Sequence, residues 1–360
     1  MIYFNLLLIL PAFSFLIIQF DNRLKVTEFF VFTFFSFFIA TRFDFGGDQV
    51  AYFSNYLDAR NMFYVEFIKS WEDFTILYNS FVYILSNTGL PFSIYLWLVF
   101  LLYYLSNRFF LKSISKENFW VSMALMFILY YGVFFNLIAL RQSISLSFFL
   151  IAYVFWVNKK NKPISILFLL FSLFFHPLSL ILILVLCLLI KGFTKNYLYF
   201  IIFSSFFVLI LFTDFPMLPG FKYFMVQDFD FGGRFLLNLA VLVILYFVVF
   251  LNRNNEDSFY YYSLAFFVLI LFASIKFYFL YRVASLLIPF CIVALNCLYN
   301  RNGYFFRFVI FCGLIFILNF SLYSNSNLYF YETYRSILFT DGYHSKSHID
   351  FDFRVYRRSM

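Results

Sequence analysis

The run Phe135-Asn136-Leu137-Ile138-Ala139-Leu140-Arg141-Gln142-Ser143-Ile144-Ser145-Leu146-Ser147-Phe148-Phe149-Leu150-Ile151-Ala152-Tyr153-Val154-Phe155-Trp156-Val157 decides the fold class. It stays apolar over the length a bilayer needs, about 20 residues, yet carries an arginine near its start. A charged side chain at bilayer depth costs about 2.5–3.5 kcal/mol on insertion scales unless a polar cavity or a partner receives it. A second run repeats the anomaly: Phe174-Phe175-His176-Pro177-Leu178-Ser179-Leu180 sets a histidine in apolar sequence. Arg141 and His176 therefore read as functional candidates inside an all-α, polytopic membrane protein.

Composition agrees. Of 360 residues, 64% are hydrophobic and 12% charged, against about 45–50% and about 25% in soluble domains. Mean hydropathy is +0.87. The 64 phenylalanines partly reflect AT-rich codons and carry no functional weight. The net charge of +8 is scattered over short loops, as positive-inside orientation expects, and is no nucleic-acid signature. Cys187, Cys291, Cys297 and Cys312 lie in apolar runs without metal-ligand spacing and read as small buried hydrophobes. The first apolar run has no basic segment before it and no small-residue cleavage site after it, so it is expected to remain as an uncleaved span.

Apolar segments fall at about 2–20, 27–41, 75–88, 92–107, 119–135, 138–157, 164–175, 177–190, 197–213, 235–251, 259–275, 282–299 and 308–323. They predict about 11–13 transmembrane or re-entrant helices in one membrane domain, 1–323, followed by a polar tail, 324–360. Lys112, Lys116, Lys159, Lys160, Lys162, Lys191, Lys195, Arg253, Arg301 and Arg307 mark cytoplasmic loops, which leaves the moderate loops 42–73 and 214–234 outside. That count works only if 75–88 is re-entrant or interfacial. It contains Tyr78, Asn79, Ser80, Ser86 and Asn87, which suit partial burial. The stretch 164–190 is flanked by basic loops and should be a hairpin turning at His176-Pro177. Arg141 and His176 then share the outer side, and both termini come out external.

Three further features belong to that side. Arg42-Phe43-Asp44-Phe45-Gly46-Gly47-Asp48 offers a glycine turn that would bring Arg42 and Asp48 together; an ordinary solvated loop is the plain alternative. Its core, Phe43 to Gly47, recurs as Phe229-Asp230-Phe231-Gly232-Gly233 with Arg234 next. The echo is either chance in a Phe-rich chain or a pair of similar turns facing a repeating ligand. Tyr281-Arg282 opens a late span. Arg282 and Arg141 can each be read as interfacial anchors whose heads snorkel outward, and His176 as a satisfied structural histidine. Against the bland reading of Arg141, Gln142, Ser143, Ser145 and Ser147 continue a polar stripe that suggests a lined cavity. Arg141, Arg234, Lys276 and Arg282 together would form a cationic cavity. Arginine suits phosphate or diphosphate through its planar fork, and histidine suits proton transfer.

These motifs, taken in order, resemble the EpsG family, the Wzy-like polymerases of bacterial exopolysaccharide, capsule and O-antigen repeat units. The residues that carry the resemblance are Arg42, Gly47, Asp48 and Tyr52 in the first loop, then Asn136, Arg141 and Gln142, then Phe175, His176, Ser179 and Leu180, with Tyr281 and Arg282 as a weaker late element. Pro177 departs from the pattern, and Gly46-Gly47 leaves the first register ambiguous by one residue. The resemblance implies transfer of a growing glycan from a polyprenyl diphosphate carrier onto a lipid-linked repeat unit. The reaction would occur at the outer face of the cytoplasmic (inner) membrane, with no metal or cofactor. The expected partners are polyprenyl-diphosphate-linked oligosaccharides, membrane lipids and a chain-length regulator protein, and no nucleic acid.

Such a reaction needs cations for the leaving diphosphate, for which Arg141 and Arg282 fit, with Arg234 a third. It needs a base for the acceptor hydroxyl, for which His176 is expected and Asp48 is the other candidate. Arg42 and Gln142 are further substrate-binding candidates, and Tyr52 and Tyr56 are expected to stack on sugar faces. Two rivals stay open: a ligase of the O-antigen type, and a flippase of lipid-linked oligosaccharide. Flippase folds often show two similar halves, and here only the five-residue echo suggests any.

Overall fold

The computed structural model describes residues 12, 14–18, 26–40, 42–43, 47–70, 76–115, 118–128, 139–158, 160–176, 178–180, 182–183, 242–243, 249–250, 258–274, 279–301 and 335–336. The described elements are α1 Val26–Ala40, β1 Arg42–Phe43, α2 Gly47–Asn61, α3 Tyr64–Ser70, α4 Ile76–Asn87, α5 Phe92–Ile114, α6 Phe119–Ile128, α7 Leu140–Val157, α8 Lys162–Phe175, α9 Ser258–Ala273, α10 Phe279–Ser285, α11 Ile288–Arg301 and β2 Arg335–Ser336. Apart from one two-residue antiparallel pair, β1 with β2, these elements are helical. α5 and α7 are long and apolar enough to cross a membrane, and α1, α8, α9 and α11 contain shorter apolar helices. With the composition, this is the make-up of a membrane protein. Loop 214–234, the second apolar run's partner segments beyond residue 183, and most of the tail lie outside the described residues.

Side-chain contacts fix the relative directions of α1, α5, α7, α8 and α11. Arg108, late in α5, bonds Glu28, early in α1, with Nε at 2.5 Å from one carboxylate oxygen and Nη2 at 3.1 Å from the other. The Tyr104 hydroxyl donates to the same carboxylate at 3.1 Å. α1 and α5 therefore run antiparallel. Asn158, just past α7, donates to the Ser113 carbonyl at the end of α5, so α5 and α7 run parallel. α7 and α8 form an antiparallel hairpin: Ser165 Oγ donates to the Ala152 carbonyl at 2.8 Å, and Ser145 meets Ser172 further along. α11 descends from the Arg282 end, with Phe290 against Phe110 and Tyr153 and Asn296 Nδ2 donating to Ser122 Oγ at 2.9 Å.

Two ends result. Lys112, Lys160, Lys162 and Arg301 close one end of the bundle, at the ends of α5 and α11 and at the α7–α8 turn. The other end carries the C-terminus of α1, all of α2, α3 and α4, and the start of α5. α2 and α4 are laced there. Tyr56 Oη donates to the Leu90 carbonyl at 2.8 Å, Arg60 Nε to the Ser86 carbonyl at 3.0 Å, and Asn87 Nδ2 to the Ala59 carbonyl at 3.0 Å. α4 ends at Gly89, whose φ of 77° is the left-handed conformation that glycine adopts freely. At 12 residues, α4 is about 18 Å long, short of a hydrocarbon core of about 30 Å.

Tyr52, Tyr56 and Ala59 fall at i, i+4 and i+7, one stripe of α2. All three are buried, in a small core with Tyr78 and Val82 of α4, Tyr95 and Val99 of α5, Leu140 and Ile144 of α7, and Phe175 of α8. A larger apolar core joins α1, α5, α6, α7, α9 and α11.

Candidate functional site

His176 owes its place to its neighbour. α8 starts on Asn161, whose side chain accepts from the Ile164 amide, with a proline in the first turn, both standard helix starts. It stops at Phe175 because the residue before a proline is pushed out of the helical region. His176 has φ −159° and ψ 126°, which is extended backbone. The departure at Pro177 is therefore what ends the helix and lifts the imidazole off it. The Leu178 amide then donates to His176 Nδ1 at 3.1 Å, and Ser179 Oγ donates to the His176 carbonyl at 2.8 Å. Both bonds tether the ring to the start of the next helical turn.

Arg141 opens α7, directly across from the end of α8. Its guanidinium carbon lies 5.5 Å from the centroid of the Tyr78 ring, in cation–π range. Tyr78 is held by a buried hydroxyl pair with Tyr95 at 2.8 Å, and Tyr52 packs edge-on against it at 6.2 Å between centroids. Arg141 and Arg282 both act electrostatically on the His176 imidazole. Arg282, on α10, is exposed. Arg141 and Arg282, from distant parts of the chain, thus both lie near enough to His176 for their charges to be felt there.

The other expected site residues divide. Gln142 is buried, and among the described residues neither amide atom has a hydrogen-bond partner. Tyr52 is 8% and Tyr56 1% exposed, so both rings lie in the packing stripe of α2. Asp48 lies in the first turn of α2, and Arg42 lies in β1. Arg234, Lys276 and the recurring turn at 229–233 are outside the described residues. β1 pairs Arg42 with Ser336 and Phe43 with Arg335, which brings the start of the tail to the first loop.

The serine stripe of α7 is corrected. Ser145 Oγ donates to the Ser172 carbonyl at 2.8 Å, and Ser172 Oγ returns a bond to the Ser145 carbonyl at 2.8 Å. Ser147 Oγ donates to the Ser143 carbonyl at 2.7 Å. These hydroxyls hold α7 to α8 or bond back along α7; Ser145 and Ser172 are interhelical glue. Tyr78, Tyr95, Asn55 and Asn79 were not picked out as site residues from sequence. The only available signal was the polar content of 75–88. Asn55 and Asn79 are buried, and among the described residues both amide atoms of each are unpartnered.

The fold and this cluster define a helical membrane protein with a cationic, tyrosine-walled site at one end. A family model, EpsG, matches residues 25–335, most of the chain. The chain belongs to the EpsG family, and membership points to polysaccharide biosynthesis of the Wzy-like kind. No curated protein and no solved structure matches it.

Proposed function

We propose that this protein is a polysaccharide polymerase of the cytoplasmic membrane, multi-pass, with its site at the outer face. In this reading it transfers a glycan chain from a polyprenyl diphosphate carrier to a lipid-linked repeat unit. The observation that carries the reading is the placing of Arg141 over the Tyr78 ring at the start of α7, across from His176 at the end of α8, with Arg282 of α10 near enough to act electrostatically on the same imidazole. Two guanidiniums are suited to a diphosphate, which gains charge as the sugar–oxygen bond breaks. Arg141 and Arg282 hold the leaving group in this scheme. Asp48, in the first turn of α2, and Arg42 serve the acceptor side, with Arg234 a further cation. Gln142, with an unspent amide, is suited to a sugar hydroxyl. A chain-length regulator protein is the expected protein partner.

The test is the size of surface glycan in a deletion strain carrying wild type, Arg141→Ala or Arg282→Ala, each checked for membrane expression. Wild type should restore long chains, and both variants should leave single repeat units displayed outside. Long polymer from the variants would remove the site. Repeat units trapped inside the deletion strain would make the protein a flippase. Long free polymer that is never joined to its final acceptor would make it a ligase.

A further inference from the structure

We infer that His176 takes part as a hydrogen-bond donor through Nε2–H and not as the general base, an inference that rests on the polymerase reading above. The Leu178 backbone amide points its hydrogen at His176 Nδ1 over 3.1 Å. An amide N–H only donates, so Nδ1 accepts, and it accepts only with its lone pair free. A neutral imidazole carries one proton, which is then on Nε2. A ring protonated at both nitrogens would set two N–H groups against each other at this contact. A second bond, from Ser179 Oγ to the His176 carbonyl at 2.8 Å, fixes the same turn and keeps Leu178 in place. The tautomer is thus set by the Leu178 amide.

The consequence is chemical. To act as a base at Nε2 the ring would need its proton on Nδ1, where the Leu178 amide already sits. To act as a base at Nδ1 it would have to give up that amide, leaving a backbone donor without its partner. The polar group His176 offers to a ligand is a donor, and Arg141 and Arg282 lie near enough to act electrostatically on the same ring. All three are donors, which suits an oxyanion. In the transfer step the acceptor hydroxyl oxygen bonds to the anomeric carbon. The bond from that carbon to the diphosphate oxygen breaks, and its electron pair leaves on the diphosphate. The hydroxyl proton goes to a carboxylate, for which Asp48 is the candidate. His176 keeps its proton throughout and donates to the departing diphosphate.

The experiment uses the full-length protein in vesicles with a polyprenyl-diphosphate-linked oligosaccharide, and compares His176→Gln with His176→Ala. Glutamine places an amide N–H near the position of Nε2–H and has no basic nitrogen. A donor role predicts that Gln keeps activity within about tenfold of wild type, while Ala loses about 10²–10³, the usual cost of one donor to a developing oxyanion. Equal losses in Gln and Ala with wild type active would overturn the donor role and leave the polymerase reading standing. A wild type that never lengthens the glycan would overturn the polymerase reading itself. Nitrogen-15 NMR of histidine-labelled protein gives an answer independent of turnover and of the variants' activity. The chain has 3 histidines, and the signal lost in His176→Gln identifies the one of interest. Protonated Nε2 with bare Nδ1 is expected; protonated Nδ1 would sink the proposal.

Discussion

A guanidinium 5.5 Å above the Tyr78 ring keeps its charge at the membrane boundary by two means, the ring face and whatever anion arrives. Lysine keeps the charge but loses the planar fork. Arg141→Lys should therefore be made and inserted normally yet lose at least about tenfold in glycan transfer; activity equal to wild type would show that only charge matters there. Gln142 separates site from scaffold in a different way. An unpartnered buried amide costs about 1–3 kcal/mol, and methionine has nearly the same volume without the polar atoms. Gln142→Met should leave the thermal midpoint in detergent unchanged or raised while transfer falls; a variant both stable and fully active would assign the amide no role. Arg141 and His176 were legible because a charge in apolar sequence is costly enough to need a reason. Tyr78 and Tyr95 were not, since in a chain with 29 tyrosines nothing local marks the two whose hydroxyls meet.

At the scale of elements, the α7–α8 hairpin carries His176 on one arm and Arg141 on the other, so its register sets their separation. The reciprocal bonds of Ser145 and Ser172 pin that register. Interhelical bonds of this kind contribute about 0.6 kcal/mol on average and up to about 1.7 in membranes. Ser172→Ala should thus lower stability by about 1 kcal/mol in a denaturant titration. Ser172→Leu should do far more harm, because Ser172 is 0% exposed and extra volume has nowhere to go. Equal stability of Leu and wild type would mean that the helices are not in contact there. The sequence showed the serines but not their use. Serine lines cavities and glues helices with the same atoms, and only the facing helix decides between them. The short helix at 76–87 was more readable as an element, because its apolar run lies between polar breaks and is visible before any packing is known.

For the whole molecule the decisive property is that its two ends differ. Arg141, His176 and Arg282 gather at one end, and Lys112, Lys160, Lys162 and Arg301 at the other. By positive-inside orientation the lysine end is expected in the cytoplasm and the Arg141 end outside. The β1–β2 pair extends the argument to the tail, because Arg335 sits opposite Phe43 and so belongs to the same side as the first loop. Single cysteines in a background without the native four test all of this together. Met62, exposed at the α2–α3 turn, and Ser336 should both react with a membrane-impermeant maleimide in intact cells. Lys160, at the α7–α8 turn, should react only after permeabilisation. Labelling of Lys160→Cys from outside with Met62→Cys protected would invert the molecule and remove the outer-face polymerase. Labelling of Met62→Cys from outside with Ser336→Cys protected would leave the site outside and detach the tail from it, and β1 would then have to be paired with something else.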